Sequence, residues 1–193
     1  PYDSRRAYIW ECSHVHTDGV KNFLENAASL GIDLSARDMD DSSGFYLGRN
    51  DGMTAFQVAC HRGHTDLVKL FQDKSAALSI DLNVRANYCY TAFHFVCAKG
   101  DSNVFINFLE NAATLSINLN TTNNGGLTGF HLTCSHGHTD LVKIFMERAA
   151  KLSFDLNAKD NIGRTAFHIA CFKGNSDVVQ IFMDITATLS IDL

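Results

Sequence analysis

The fold class that the sequence predicts is an all-α solenoid of stacked helix-turn-helix units joined by hairpin-like loops, and three observations predict it. Cys60, Cys97, Cys134 and Cys171 stand 37 residues apart and their surroundings recur with them, which is the mark of a repeat architecture. Each cysteine is followed three residues later by a glycine: Gly63, Gly100, Gly137 and Gly174. Of the 193 residues, 46% are hydrophobic and one is a proline, a composition that folds and that seldom interrupts a helix.

The elements follow in order. A first helix is expected from Thr54-Ala55-Phe56, Thr91-Ala92-Phe93, Thr128-Gly129-Phe130 and Thr165-Ala166-Phe167; three copies continue with His94, His131 and His168, and the other with Gln57. The glycine after each cysteine predicts a turn. Thr65, Ser102, Thr139 or Ser176 then starts a second helix, because a hydroxyl there caps free N–H groups and the aspartate that usually follows suits the positive end of the helix dipole. Along it Val68, Phe71, Ser75, Leu78 and Leu82 form one apolar or small stripe. Phe23, Phe71, Phe108, Phe145 and Phe182 share one site, and Ala28, Ala76, Ala113, Ala150 and Ala187 another. Both sites are expected in the core, the alanines letting helices approach. A divergent earlier copy is centred on Cys12, with Arg6 for the threonine, Val15 for the glycine, and Thr17 kept. The chain thus reads as a single array over 1–193, with repeats at about 1–34, 49–82, 86–119, 123–156 and 160–193 and a long inserted loop at 38–48.

Thr165-Ala166-Phe167-His168-Ile169-Ala170 resembles the Thr-Pro-Leu-His-x-Ala signature of the ankyrin repeat, and the resemblance extends over essentially the whole chain. It implies that the signature histidines tie adjacent units by hydrogen bonds. It also implies that loop fingers and first helices line a concave face that binds other proteins. Two departures stand out. The family period is about 33 residues, so each unit here carries four more, about one helical turn, placed after the second-helix phenylalanine. They are expected to lengthen helix two without rotating its apolar face. The signature proline is missing, and the threonine is left to begin the helix.

Six cysteines and nine histidines raise metal and thiol chemistry, but the periodic cysteines should lie at the packing distance of neighbouring helices, about 8–10 Å, too far for a disulfide. Cys12, Cys60, Cys97, Cys134 and Cys171 are therefore expected to be reduced, buried and unreactive. Cys89, which replaces the glycine of the other loops, is expected to be exposed and to react first. His64 and His138, just after the turn glycine, read as structural. No Cys-x-x-Cys or His-Glu-x-x-His spacing occurs. The aspartates of the 38–48 loop miss calcium-loop spacing, with Arg49 where the bidentate glutamate belongs. Asn120-Thr121-Thr122 is a lone glycosylation sequon. No nucleophile has a partner in the sequence and no phosphate loop is present, so neither an enzyme nor a cofactor is expected.

A net charge of −5 without a basic cluster offers nothing to a nucleic acid. No apolar run approaches the ~18 residues of a membrane span, and unpaired cysteines fit an intracellular, cytoplasmic or nuclear, protein. The expected function is a protein-binding scaffold or adaptor module. Its recognition residues are those that vary between copies: Asp51, Met53, Tyr88, Tyr90, Asn124, Leu127, Ile162 and Arg164 in the loops, and His61, Arg62, Lys99, His136, Phe172 and Lys173 after the cysteines. The alternatives are a subunit that stacks head-to-tail into a filament, and a targeting array of a larger enzyme. Apolar terminal units suggest the first of these, a homo-oligomer formed through Tyr8, Trp10, Val178, Ile181, Phe182, Ile185 and Leu189. The chain opens on Pro1, and excision from a longer array explains the same apolar ends.

Overall fold

The computed structural model describes residues 4–14, 17–30, 33–37 and 52–185, and the fold is all-α, with no strand among the described residues. Helices come in pairs: α1 (Ser4–Ser13) with α2 (Thr17–Glu25) and the short α3 (Ala27–Leu30), α4 (Ala55–Arg62) with α5 (Thr65–Lys74), α6 (Ala92–Lys99) with α7 (Ser102–Asn111), α8 (Gly129–His136) with α9 (Thr139–Leu152), and α10 (Ala166–Lys173) with α11 (Ser176–Ile185). The first helices α1, α4, α6, α8 and α10 pack in chain order, and the second helices α2, α5, α7, α9 and α11 form the row behind them. The 38–48 loop lies outside the described residues. Its roots are joined by an antiparallel bridge between Arg37 and Thr54.

Local sequence explains each element. Thr54, Thr128 and Thr165 cap the first helices by accepting the N–H of Gln57, His131 and His168. The helices end on Gly63, Gly100, Gly137 and Gly174, whose φ of 72° to 80° is left-handed, where a Cβ is penalised. At Gly100 a Cβ would also collide with the His138 ring of the next unit. Because each inner first helix has a neighbour on both sides, almost every residue from Ala55 to Cys60, Ala92 to Cys97 and Gly129 to Cys134 is buried.

The four added residues do extend the second helix. The extension is an unbroken helix in α9, which reaches Leu152. After α5 and α7 the chain keeps turning, with Leu78 N–H donating to Lys74 O at 3.0 Å and Leu115 N–H to Asn111 O at 2.9 Å. All three extensions stop alike: Ser79, Ser116 and Ser153 take φ of 51°, 52° and 55°. The next N–H, of Ile80, Ile117 or Phe154, closes back on Ser75 O, Ala112 O or Ala149 O at 2.9, 2.8 and 3.0 Å, the six-to-one bond of a Schellman end.

Rings join the two rows. Phe56 touches Phe71 of its own unit and Phe108 of the next, with centroids 5.7 and 5.9 Å apart. Phe93 repeats this with Phe108 and Phe145, and Phe130 with Phe145 and Phe182. In the first pair Tyr8 takes the same place between Phe23 and Phe71. The shared phenylalanine site is thus core, Phe23 being half-buried and the other four buried.

Two expectations are corrected. Ala76, Ala113 and Ala150 are exposed, while Ala28 and Ala187 fall outside the described side chains. Five residues beyond the phenylalanine is about 140° around a helix, which points away from the neighbouring row. The small residues that face inward are one position earlier, at Ala27, Ser75 and Ala112, all buried, with Ala149 half-buried. Among the cysteines, all six are free; Cys12, Cys60, Cys97 and Cys134 are buried but Cys171 is exposed. Burial pushes those four thiols up from their ordinary value. Cys171 sits on α10, which has a described neighbour on one side only.

Polar ties run between units as the resemblance implies. His94 Nδ1 accepts Thr91 N–H at 3.1 Å, so Nε2 carries the proton and donates to Leu127 O of the next unit at 3.0 Å. His131 does the same with Thr128 N–H at 3.2 Å and Arg164 O at 3.3 Å. Gln57 shares the cap but finds a different acceptor: Oε1 accepts Thr54 N–H at 2.8 Å, and Nε2 donates at 2.7 Å to Val84 O, not to Tyr90, the counterpart of Leu127. A second series runs backward, where His64 reaches Ser13 O at 3.4 Å, His138 reaches Ala98 O at 2.9 Å, and Asn175 reaches Cys134 O at 2.7 Å. These satisfy carbonyls left open at the ends of the preceding first helices. The equivalent Asp101 has no proton to donate and instead caps its own helix through Val104 N–H at 3.0 Å.

Burial lowers the His94 pKa to about 4, against an ordinary value near 6.5. An unfolded chain therefore binds a proton over that interval that the folded chain refuses, and stability is present above pH 6.5 and lost as pH falls toward 4. His94 alone is expected to cost up to about 3 kcal/mol across the window. His94→Gln, which keeps an acceptor for Thr91 N–H as Gln57 does for Thr54 but does not titrate, should flatten the stability curve from pH 6.5 to 4 in urea unfolding; an unchanged slope would contradict the assignment. Ser116→Gly should raise stability by about 0.5 kcal/mol, since it relieves a left-handed residue with a Cβ at the cost of some chain entropy, and a lowered melting temperature would refute this.

Candidate partner-binding surface

Between the helix pairs the chain forms short hairpin fingers. Their bases are closed by Ala86 N–H to Tyr90 O at 2.8 Å, Asn123 N–H to Leu127 O at 3.0 Å and Asp160 N–H to Arg164 O at 2.9 Å. In two fingers a side chain fixes the tip. Asn123 Oδ1 accepts Gly125 and Leu127 N–H at 2.9 and 3.0 Å, and Asp160 Oδ1 accepts Ile162 and Arg164 N–H at 3.1 and 2.9 Å. The other Asp160 oxygen binds the Arg164 guanidinium at 2.8 Å. Burial works against this carboxylate, but the hydrogen bonds from Arg164 and Ile162 and the Arg164 charge outweigh it and hold its pKa below the usual value.

The finger at 86–90 has Ala86 in that anchoring place. Tyr88 and Cys89 are both left-handed, with φ of 55° and 60°, a conformation that a Cβ penalises. Neighbouring fingers are joined edge to edge: Asn124 N–H donates to Tyr88 O at 2.9 Å and Asn161 N–H to Gly125 O at 3.0 Å, with Asn161 Nδ2 adding a bond to Asn124 O at 2.7 Å. The tips are therefore presented as one connected row.

The structure divides the expected recognition residues sharply. At the tips Tyr88, Asn124 and Ile162 are exposed, Tyr88 and Ile162 at 68% and 74%, and Asp51 lies outside the described residues. The residue just before each threonine belongs to the framework, which is a correction. Met53 is buried in the core. Tyr90 is half-buried, stacked on Phe95 at 5.5 Å and set against His94 at 5.6 Å. Leu127 packs on the core, and Arg164 is bound to Asp160. The reason is structural: the carbonyls of Leu127 and Arg164 are the acceptors for the stacking histidines, so this position is pinned whatever side chain it carries.

Along the first helices His61, Lys99, His136, Phe172 and Lys173 are exposed, Phe172 at 76%. Arg62 is half-buried, and its Nε is buried without a hydrogen-bond partner. The end-stacking candidates divide too. Tyr8, Val178 and Phe182 are buried within the array, which corrects their expected place on an outer face. Ile181 and Ile185 are half-buried, the Trp10 side chain and Leu189 lie outside the described residues, and Met183, not expected at all, is 54% exposed. It follows Phe182 on α11 and so faces away from the core. Among the described residues no cluster of ligating side chains suits a metal ion, and no helix is long and apolar enough to cross a membrane.

The stacked helix pairs, histidine ties and linked fingers define a helical repeat protein. A family model described as ankyrin repeats in three copies matches residues 93–191, and a single ankyrin-repeat model matches residues 51–87. The chain belongs to the ankyrin-repeat family. Both models begin after the first helix pair, yet α1 and α2 stack on α4 and α5 as the later pairs stack on one another. A comparison with curated proteins finds no match. Ankyrin repeats generally mediate protein–protein interaction.

Tyr88 and Tyr90 separate tip from framework. Tyr88→Ala should change stability by less than about 0.5 kcal/mol, as is usual for exposed positions. Tyr90→Ala should cost about 2 kcal/mol through lost ring contacts. Equal melting temperatures for the two variants would show that Tyr90 is not part of the framework.

Proposed function

We propose that this array is a non-catalytic scaffold or adaptor module that binds a protein ligand along the finger tips and first helices. The observation that carries the reading is the exposure of Tyr88, Ile162 and Phe172 among described residues whose other aromatic and aliphatic side chains are mostly packed. Aromatic and arginine side chains are the types that most often anchor protein interfaces, and Lys99, Lys173, His61 and His136 add exposed polar groups on the first helices. The ties that Tyr88 and Asn124 make to the next finger run through their backbone carbonyls, so their exposed side chains can differ between units.

A second reading, in which copies of the chain stack head-to-tail, is favoured by one observation. His168 and Cys171 on α10 are exposed where their counterparts His94, His131, Cys60, Cys97 and Cys134 are covered by the next unit. A photo-crosslinking residue separates the readings. Placed at Phe172 it should capture a different protein from cell extract, whereas at Lys69, on the outer row, it should not. Capture of the same protein with equal yield from both positions would overturn the proposed surface, and adducts between two copies would favour stacking.

A further inference from the structure

A cleft of about 470 Å³ opens between the first and second helix pairs, with Phe56 and Leu78 on its apolar side and Asp33, Ser35, Ser79 and Asp81 on its polar side. At the next junction a side chain bridges the two units, a bond that Asn120 does not repeat at the junction after it. The Asn83 side chain crosses from one unit to the following one, its Nδ2 donating to Ser116 O at 2.9 Å and its Oδ1 accepting Asn118 N–H at 3.0 Å. One carboxamide so satisfies a carbonyl and an amide that stand two residues apart.

At the first junction the same receptor atoms belong to Ser79 and Asp81. Their backbone is set the same way, since Ser79 and Ser116 share the left-handed conformation with φ of 51° and 52°. The residue in Asn83's place is Ser35, which is too short to cross. Its hydroxyl is turned back on its own unit, donating to Asp33 Oδ1 at 2.6 Å. Neither Ser79 O nor Asp81 N–H has a hydrogen-bond partner among the described residues.

We propose that this cleft is a binding site for a carboxamide side chain, an asparagine presented by a partner polypeptide. The donor and acceptor it would meet are the pair that Asn83's carboxamide joins one unit further on. The apolar wall accepts the methylene and flanking backbone of the incoming segment. Asp33 and Asp81 at the rim discriminate against a carboxylate of the same shape, because like charges repel and a carboxylate has no proton to give Ser79 O. The cleft shares no residue with the finger and first-helix surface, so the two readings fail separately.

The test is a titration of the isotope-labelled chain of 193 residues, followed by backbone amide resonances, with N-acetyl-asparagine methylamide as the probe. The Asp81 amide should shift saturably, while N-acetyl-aspartate methylamide should leave it in place. Ser35→Asn should supply the missing carboxamide from within: it should raise the melting temperature and abolish the response of Asp81 to the probe. Absence of a saturable shift in the unaltered chain overturns the proposal, as does an equal response to the two probes. A Ser35→Asn chain that folds and still responds overturns it as well.

Discussion

Each first-helix ring lies between two second-helix rings, one from its own unit and one from the next, and the rest of the fold depends on that arrangement. Phe56 meets Phe71 and Phe108, Phe93 meets Phe108 and Phe145, and Phe130 meets Phe145 and Phe182. No single unit encloses its own aromatic core. A pair of short helices in isolation would leave half of this contact in water, and so would form little structure alone. Stability in such an array is a property of junctions between neighbours. The backbone polar groups obey the same rule, because histidine, glutamine and asparagine side chains carry hydrogen bonds from one unit to the next.

This dependence settles where side chains are free to vary. The residue before each threonine looks variable, as Met53, Tyr90, Leu127 and Arg164 have little in common, yet in two units its carbonyl is the acceptor for a stacking histidine and each side chain has been fitted to its own surroundings. Variation there reflects local packing. Two residues earlier, at Tyr88 and Ile162, most of the side chain is in solvent. Both positions differ from copy to copy, for different physical reasons, and only burial separates them.

Much of the fold was legible because stacking imposes a strict period. The cysteine spacing, the Thr-x-Phe helix starts and the Gly turns all recur at places where the backbone has one acceptable solution. The histidine ties were legible only through the resemblance, since no spacing within the chain shows which carbonyl Nε2 will find. The sequence misled where facing direction mattered. A recurring alanine at 76, 113 and 150 suggested close approach, but small residues recur on exposed helix faces as well, through helix propensity alone. Cys171 repeats the motif of Cys60 without its environment, because burial belongs to the junction and not to the motif. Tyr88 stands out in the sequence as an aromatic at a tip. Its left-handed conformation, which the counterparts Gly125 and Ile162 do not share, accompanies Ala86 in the place of the anchoring Asn123 or Asp160, and no spacing in the chain shows that those side chains hold their fingers.

The longer period has a mechanical consequence that the exposed surface inherits. The added turn lies at the far end of the second helix, where Leu78, Leu115 and Leu152 join the partly buried shell and Phe154 packs on Phe145 with centroids 4.7 Å apart. All of this strengthens the outer row and adds nothing to the first helices, which remain eight residues long in the units from α4 to α10. A repeat of this length therefore thickens the support behind the first helices and fingers while leaving their spacing to the first-helix contacts and to the bonds between fingers. Changes to the fingers and to the residues after each cysteine can then be absorbed without disturbing the ring ladder. A change at the small inward positions Ser75 or Ala112 cannot, since it would push one row away from the next and separate the rings on both sides.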